Sequence, residues 1–457
     1  REIPKESNHY MRRYLYFLSL TLLLIPFVSL AQEPIELSLE EAVDYSLKNN
    51  TTIKNARLDV LIQQAKNDEI TGLAYPKING VGNYQDFLEP VKSFLPGEFL
   101  GQPAGTFVPV QFTPKYTTNA NVTANQILFD GSVLVALQAK KTVMRLMELN
   151  ANLSEEDVKL NVQKSYYSLV VAQKQFEILK SSLANARDLA NDVRIMKETG
   201  FVEKIELDRT TVQVNNLATD SIRIASLLEL TEQILKYRMA MPLNQPIVLT
   251  DTSLEGNLEE SLNLINSTLE YSNRIEYNLA QTQLRLNEYD LKRHRLSALP
   301  SLSTFINGGY NYSTGNFNEL FQFRRNYQFS SMWGLQLNVP IFDGLQRRNR
   351  VKQARLTIEQ TKNNIDELTR SIDFQTAQSQ TSLRNALLTV QSQQRNQELA
   401  ATVLDLAQRK YREGVGSNLE VTQAQTDFLQ AQNNYFQAML EAVNAQADLQ
   451  RALGTLR

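Results

Sequence analysis

The chain has 457 residues, of which 42% are hydrophobic and 21% charged, so it has enough apolar material for a sizeable core. Its formal net charge of −2 gives no electrostatic attraction to nucleic acid, which is not expected as a partner. The sequence has no cysteine, and its only histidines are His9 and His294, which argues against cysteine nucleophiles, disulfides and histidine-rich metal sites. His294 stands among basic residues and fits a basic helix end. We therefore expect neither an enzyme nor a cofactor.

Residues 11–31 have the three parts of a secretory signal peptide. A basic start at Met11 precedes an apolar run, and Ser29-Leu30-Ala31 places small residues before a cut after Ala31. A membrane anchor is a weaker alternative, because the run is short and contains Pro26. The sequence therefore predicts an exported protein.

Two ordered motifs occur twice along the chain. Residues 127–131, Ile-Leu-Phe-Asp-Gly, recur 213 residues later as Pro-Ile-Phe-Asp-Gly. Gly200 and the acidic-apolar pair that follows it recur 214 residues later, beginning at Gly414. Such ordered repetition predicts a tandem duplication. The two structural repeats are expected at residues 32–242 and 243–457.

Four segments alternate apolar and polar residues at every second position, as strands with one apolar face do. These predicted strands are residues 77–87, 115–129, 301–313 and 329–341. The first two and the last two are expected to pair as hairpins. Tyr310, Tyr312, Phe329 and Trp333 are expected on the apolar face, where aromatic side chains suit the interfacial girdle of a membrane barrel.

Four strands cannot close a membrane barrel, because the smallest barrels have about eight. An open sheet edge is not tolerated in lipid, so several copies are expected to share one barrel, and three would supply about twelve strands. A soluble β-sandwich is the alternative, but four strands would cover very long helices poorly. Residues 88–114, rich in proline and phenylalanine, predict a long surface loop; a loop that caps a pore or contacts a partner is the other possibility.

Long helices are predicted after each pair of strands. Residues 132–199 and 345–413 contain neither glycine nor proline, which predicts helices roughly 100 Å long. From Val158 to Val193, apolar or small residues alternate at spacings of four and three, which is typical of a coiled-coil partner. From Ala424 to Ala452, alanine recurs at every seventh position.

We therefore predict two antiparallel helical hairpins that turn at residues 200–204 and 414–418. The stripe weakens at Gln393 and Gln397 of the second long helix. A helix that is polar around much of its circumference needs a reason, and a water-filled lumen would supply one. Taken alone, these stripes fit an ordinary soluble coiled coil equally well.

This duplicated order of elements resembles the TolC family of outer-membrane efflux proteins. The resemblance covers residues 35–456. It includes the opening at residues 39–43, the strand entry Tyr75-Pro76-Lys77-Ile78 and the closing Ala-Leu-Gly-Thr-Leu at residues 452–456. It implies a mainly helical fold with β-structure, in which long coiled-coil hairpins form an α-helical barrel. Four strands per chain would contribute to a twelve-stranded transmembrane β-barrel shared by a homotrimer.

The resemblance also implies a place and a function. The protein is expected in the outer membrane of a Gram-negative bacterium, in contact with lipid and extending into the periplasm. It would be the passive channel of a tripartite efflux or type I secretion system, with a periplasmic adaptor (a membrane fusion protein) and an inner-membrane pump as partners. Drugs, metals and proteins all remain open as cargo.

Family members narrow at the periplasmic tip, and the resemblance carries two pairs of residues to that tip. Glu420 matches the first position of the acidic pore constriction, and Gln423 stands where a second acid is usual. Glu206 and Tyr411 match the latch between the hairpins, whereas Gly416 stands where an arginine helps. A simpler interpretation of Glu206 and Glu420 is that each is an acid favourably placed at a helix N-terminus.

A different class of protein fits part of the same pattern. A periplasmic coiled-coil adaptor or scaffold would use the helical hairpins and have no pore. It predicts a protein that is soluble without detergent. The amphipathic strands, with Phe329 and Trp333 on their apolar face, argue against it.

Overall fold

The computed structural model describes residues 34–253, 258–322 and 327–456, so the predicted signal peptide lies outside the described residues. The described chain is mainly helical. Its helices are α1 (Leu39–Asn49), α2 (Thr51–Gly72), α3 (Gly131–Glu198), α4 (Lys204–Met239), α5 (Leu258–Ile265), α6 (Ile275–Leu296), α7 (Gln346–Arg412) and α8 (Asn418–Leu453). Its strands are β1 (Ile35–Leu37), β2 (Lys77–Asp86), β3 (Lys92–Pro96), β4 (Phe107–Gln111), β5 (Tyr116–Phe129), β6 (Ile247–Leu249), β7 (Ser301–Thr314) and β8 (Gln328–Asn338).

Two long helical hairpins dominate the molecule, as the sequence predicts. Helix α3 packs on α4, and α7 packs on α8. Each long helix ends at a glycine with a positive φ, 82° at Gly200 and 78° at Gly414, a conformation that other residues rarely adopt. After each glycine a backbone N–H bonds back to the last helical turn, from Phe201 to Met196 at 2.8 Å and from Val415 to Lys410 at 3.0 Å. The two tips therefore use the same helix-ending device.

The predicted apolar stripes form the seams of these hairpins. Every member of the α3 stripe is buried or half-buried, and the same is true of the alanine row of α8. In α7, Gln393 and Gln397 are half-buried on the line that joins buried Val390 to buried Ala407. These two glutamines thus lie along the packed side of α7, while much of its remaining circumference is exposed.

The four long strands form one antiparallel sheet in the order β2-β5-β7-β8. Both predicted hairpins are present, and β5 pairs with β7 to join them. The prediction for the last strand was too long, because β8 ends at Asn338 and leaves Val339 and Ile341 outside it. Pro340 explains the early end, since proline has no N–H to donate to the ladder.

The register puts the predicted aromatic residues on one face of this sheet. Phe329 lies opposite Tyr310, with ring centroids 5.2 Å apart, and Trp333 lies opposite Ile306. Trp333 is 65% exposed. Tyr312 shares this face but is half-buried, and its hydroxyl lies 3.1 Å from Glu319 Oε2. Among the described residues, nothing covers this largely apolar sheet face.

The opposite face of the sheet is polar, with alternating asparagine, threonine, serine and glutamine side chains. Phe305 is an aromatic residue on this side, and it lies opposite Gly334 in β8. A Cβ atom at Gly334 would stand only 2.6 Å from Phe305 Cζ. The ring therefore occupies the space that a side chain at position 334 would need.

The segment 88–114 is not the plain loop that was predicted. It contains an antiparallel ribbon of β3 and β4, closed by a 3₁₀ turn at Gly97–Leu100. Pro96 and Pro109 lie within the paired strands. Proline is tolerated there because a two-stranded ribbon has free outer edges that need no N–H donor.

A compact core lies where α1 and the parallel pair β1–β6 meet the middle of α3. Tyr166 is fully buried in this core. Its hydroxyl donates to the Leu37 carbonyl at 2.9 Å and accepts from the Asp251 N–H at 3.2 Å. Burial raises the pKa of Tyr166 to about 12. The Tyr166 hydroxyl thus connects helix α3 to the last residue of β1 and to the segment that follows β6.

Replacing Tyr166 by phenylalanine should remove this connection and cost about 1–3 kcal/mol of stability, because the carbonyl and N–H partners stay in place. The raised pKa also predicts a pH effect. Below the ordinary tyrosine value near 10 the stabilisation is complete, and it is lost as the pH rises toward about 12, because the unfolded state ionises first. Thermal unfolding of Tyr166→Phe and wild type between pH 8 and 12 measures both effects. Curves that fall in parallel above pH 10 would contradict this assignment.

Candidate functional site at the hairpin tips

The candidate constriction residues lie at the start of α8. The Ser417 hydroxyl accepts the Glu420 N–H at 3.2 Å and caps the helix. The Glu420 side chain is exposed in the first turn, where the helix dipole favours a negative charge. Gln423 is exposed one turn further and donates to Asp427 at 2.8 Å. Glu420 and Gln423 therefore share one solvent-facing side of α8.

That side continues as an uninterrupted polar stripe along α8. Its members are all exposed and are spaced alternately by three and four residues: Glu420, Gln423, Asp427, Gln430, Asn434, Gln437 and Glu441. Three glutamines, each seven residues from the next, donate to the acid or amide one turn ahead, at 2.8, 2.9 and 3.0 Å. The stripe is opposite in character to the buried alanine seam of the same helix.

The two hairpins touch through a polar contact at their tips. Asn418, which is buried, donates its side-chain N–H to Glu206 Oε2 at 3.2 Å and lies 3.4 Å from the Glu206 carbonyl. Glu206 also pairs with Arg209 at 3.2 Å. The Asn418 side-chain oxygen is buried, and none of the described residues bonds to it. Glu206 is therefore held by a residue of the second hairpin other than the predicted Tyr411.

Tyr411 lies near Glu206 but makes no hydrogen bond to it. Its hydroxyl is buried and has no partner among the described residues. The ring packs against a small apolar cluster that includes Val421 and Ala407. Burial, and then the charges of Glu206 and Asp192, raise the pKa of Tyr411. The structure thus brings the two predicted latch residues close together without bonding them.

At the second tip, neighbouring atoms leave no room for a side chain at position 416. A Cβ atom at this position would stand 2.9 Å from Lys410 Cβ and 3.0 Å from the Tyr411 nitrogen. No larger residue fits there without moving the end of α7. An arginine is therefore not available at this position to support the contact between the hairpins.

The sequence analysis missed two features of this site. The glutamines at 423, 430 and 437 carry a plain sevenfold signal that was readable beside the alanine row. Asn418 gave no such signal, because its role depends on how closely two hairpins approach. His294 lies at the far end of α6, 3.3 Å from Asp290, away from these residues in the fold.

Residues 264–455 match the model of the outer membrane efflux protein family. This match supports the resemblance found in the sequence. Among the helices of the described residues, none has the length and apolar character needed to span a bilayer.

The fold of nearly the whole chain matches solved outer-membrane channels. The outer membrane protein VceC of Vibrio cholerae superposes with a TM-score of 0.68 at 13% identity, over 91% of this chain and 96% of VceC. The channel CmeC of Campylobacter jejuni gives 0.66 at 17%, over 92% and 86%. The open-state channel MtrE of Neisseria gonorrhoeae gives 0.67 at 17%, over 92% and 89%. No curated protein matches the chain in sequence.

Proposed function

We propose that three copies of this chain form a passive efflux channel, with a twelve-stranded barrel in the outer membrane and a helical tunnel below it. The observation that carries this proposal is the sheet. It has one largely apolar face, one polar face, and two open edges at β2 and β8. Open edges cannot face lipid, so the edge of β8 in one copy would pair with β2 of the next.

The two halves of the chain support an origin by duplication, with repeats at residues 32–242 and 243–457. The long helices have 68 and 67 residues, and each returning helix has 36. A short helix packs beside each long one, and each contact includes an asparagine. Asn67 donates to the Lys140 carbonyl at 3.2 Å, and Asn287 donates to the Thr361 hydroxyl at 2.8 Å. Three such chains would give six similar hairpins around one axis.

The polar stripe of α8 supports a lumen bounded by this helix. Side chains that face a water-filled passage need no apolar partner, and those of the stripe are exposed, several of them bonded within their own helix. Glu420 stands at the tip end of the stripe. In a trimer, three Glu420 carboxylates would converge where the tunnel narrows, with Gln423 above them. A ring of three charges there favours cations over anions.

Partners are proposed at the periplasmic end. Phe201 at the first tip is 83% exposed and Val415 at the second is 75% exposed. Apolar side chains standing free at loop ends suit contact with another protein. A periplasmic adaptor would bind there and couple the channel to an inner-membrane pump. A scaffold without a pore is not favoured, because it leaves the apolar sheet face without a purpose.

Single-channel recording tests the channel and its constriction together. Full-length protein extracted in detergent should form small, cation-selective conductances in a planar bilayer. Glu420→Ala should lower the cation-over-anion permeability ratio severalfold, because it removes a ring of three charges. Glu413→Ala, which removes an exposed acid from the end of α7, is the matched control and should leave selectivity unchanged.

Each other outcome has a definite meaning. A channel whose selectivity is the same in both variants would remove Glu420 from the constriction and keep the pore. Protein that stays soluble without detergent and gives no conductance would overturn the channel itself and favour the scaffold.

A further inference from the structure

A cleft of about 370 Å³ lies between the two hairpins near their tips. All four long helices line it: α3 with Asp188 and Asp192, α4 with Gln213, α7 with Arg412, and α8 with Val421. Its volume is within the range of small-molecule sites, which are typically about 300–1,000 Å³. A molecule bound there would contact both hairpins at once.

The charge in this cleft is unbalanced. Asp188 and Asp192 stand one turn apart on α3, and both are exposed. Within the described part of the chain, no hydrogen bond or ion pair engages either carboxylate. The Arg412 guanidinium does not pair with them, and donates instead to the Gln408 carbonyl at 3.3 Å. Two free carboxylates and one cation leave the cleft with a net negative charge.

The rest of the wall is suited to an organic body. Leu189, Met196 and Val421 give it apolar surface. Tyr411 also lines the cleft, and its buried hydroxyl has no hydrogen-bond partner in the part of the chain that the structure describes. An apolar wall with a few polar groups at fixed positions is the usual make-up of a ligand site.

We infer that this cleft binds an amphipathic organic cation, with its protonated amine at Asp188 and Asp192 and its apolar part against Leu189, Met196 and Val421. A bare divalent ion fits less well, because among the described residues no three histidine, aspartate or glutamate side chains are grouped as a metal site. Since the ligand would bridge the hairpins, it would also oppose their separation. That consequence rests on the proposed channel function, whereas the binding does not.

The binding is measured with rhodamine 6G, a fluorescent organic cation, by fluorescence polarisation on the full-length protein in detergent. Saturable binding above that of empty micelles is expected. The double substitution Asp188→Asn with Asp192→Asn should weaken it by about tenfold or more, because charged hydrogen bonds are lost. The control pair, Asp59→Asn with Asp68→Asn, removes two exposed carboxylates of α2 and should bind like wild type.

The anionic dye fluorescein distinguishes a charged site from plain partition into apolar surface, and it should show no saturable binding. Equal affinity in the double variant and wild type would overturn the proposal. So would equal binding of the two dyes, or the absence of any saturable component. Because these outcomes do not depend on conductance, a failure here leaves the channel proposal standing, and a failed channel recording leaves this site standing.

Discussion

Asn418→Asp should produce a channel with a permanently higher conductance at neutral pH. The substitution removes the N–H that Asn418 donates to Glu206 and puts a second carboxylate about 3 Å from the first. Two like charges at such a distance repel by about 5 kcal/mol when the effective dielectric constant is near 20. That is enough to shift an equilibrium between closed and separated tips by roughly three to four orders of magnitude.

Planar-bilayer recordings of Asn418→Asp and Asn433→Asp at several pH values measure this effect. Asn433 is an exposed residue of the same helix, so the control adds an equal charge without touching Glu206. Acidification should return the Asn418→Asp channel toward wild type, because one shared proton removes the repulsion. If both variants conduct alike, the contact between Asn418 and Glu206 does not hold the tips together.

Leu335→Arg should abolish assembly in the outer membrane, whereas Met332→Arg should be tolerated. The two residues belong to β8 and are almost equally exposed in the single chain, at 56% and 57%. They lie on opposite faces of the sheet, since Leu335 is opposite Thr304 and Met332 is opposite Asn307. An arginine on the lipid side of a barrel costs about 2–4 kcal/mol near the midplane, and a trimer would bear that cost three times. An arginine facing the water-filled interior bears almost none of it.

Fractionated membranes and trimer bands on unheated gels show the difference. The same pattern with the two variants exchanged would mean that the faces are assigned the wrong way round. If both variants assemble, the sheet does not face lipid on either side, and the membrane barrel is excluded.

Much of this architecture was readable from residue spacing. The long helices were predicted nearly to the residue, because helices tolerate neither glycine nor proline well and none occurs in either stretch. The strand faces were readable because alternation with period two survives in any sheet. The pairing of β5 with β7, which joins the two hairpins into one sheet, has no local signal.

The errors have physical causes as well. The apolar-polar alternation continues to Ile341 and made β8 look longer than it is, but Pro340 lacks the N–H that continued pairing would need. In the first copy Asp130 caps α3, and its carboxylate accepts the Ser132 N–H at 2.7 Å. In the second, Asp343 accepts the N–H of Arg347, the second residue of α7, at 2.9 Å. The aspartates of the two Phe-Asp-Gly motifs therefore have different local surroundings.

The site was harder to predict than the fold. Glu206 and Tyr411 do come close, but which side chain holds Glu206 depends on the distance between two hairpins, a tertiary quantity. The prolines of residues 88–114 suggested a loop without strands. They are compatible with a ribbon only because that ribbon has free edges, which the sequence does not reveal.

Phe305 and Gly334 bear on how wide the passage through the proposed barrel can be. A phenylalanine that stood upright on the inner wall would reach several ångströms inward, and three copies would crowd the bore. Because Gly334 has no side chain, the Phe305 ring can lie over it, close to the sheet. In the proposed barrel, the glycine at position 334 would therefore leave a wider passage than three upright phenylalanine rings would allow.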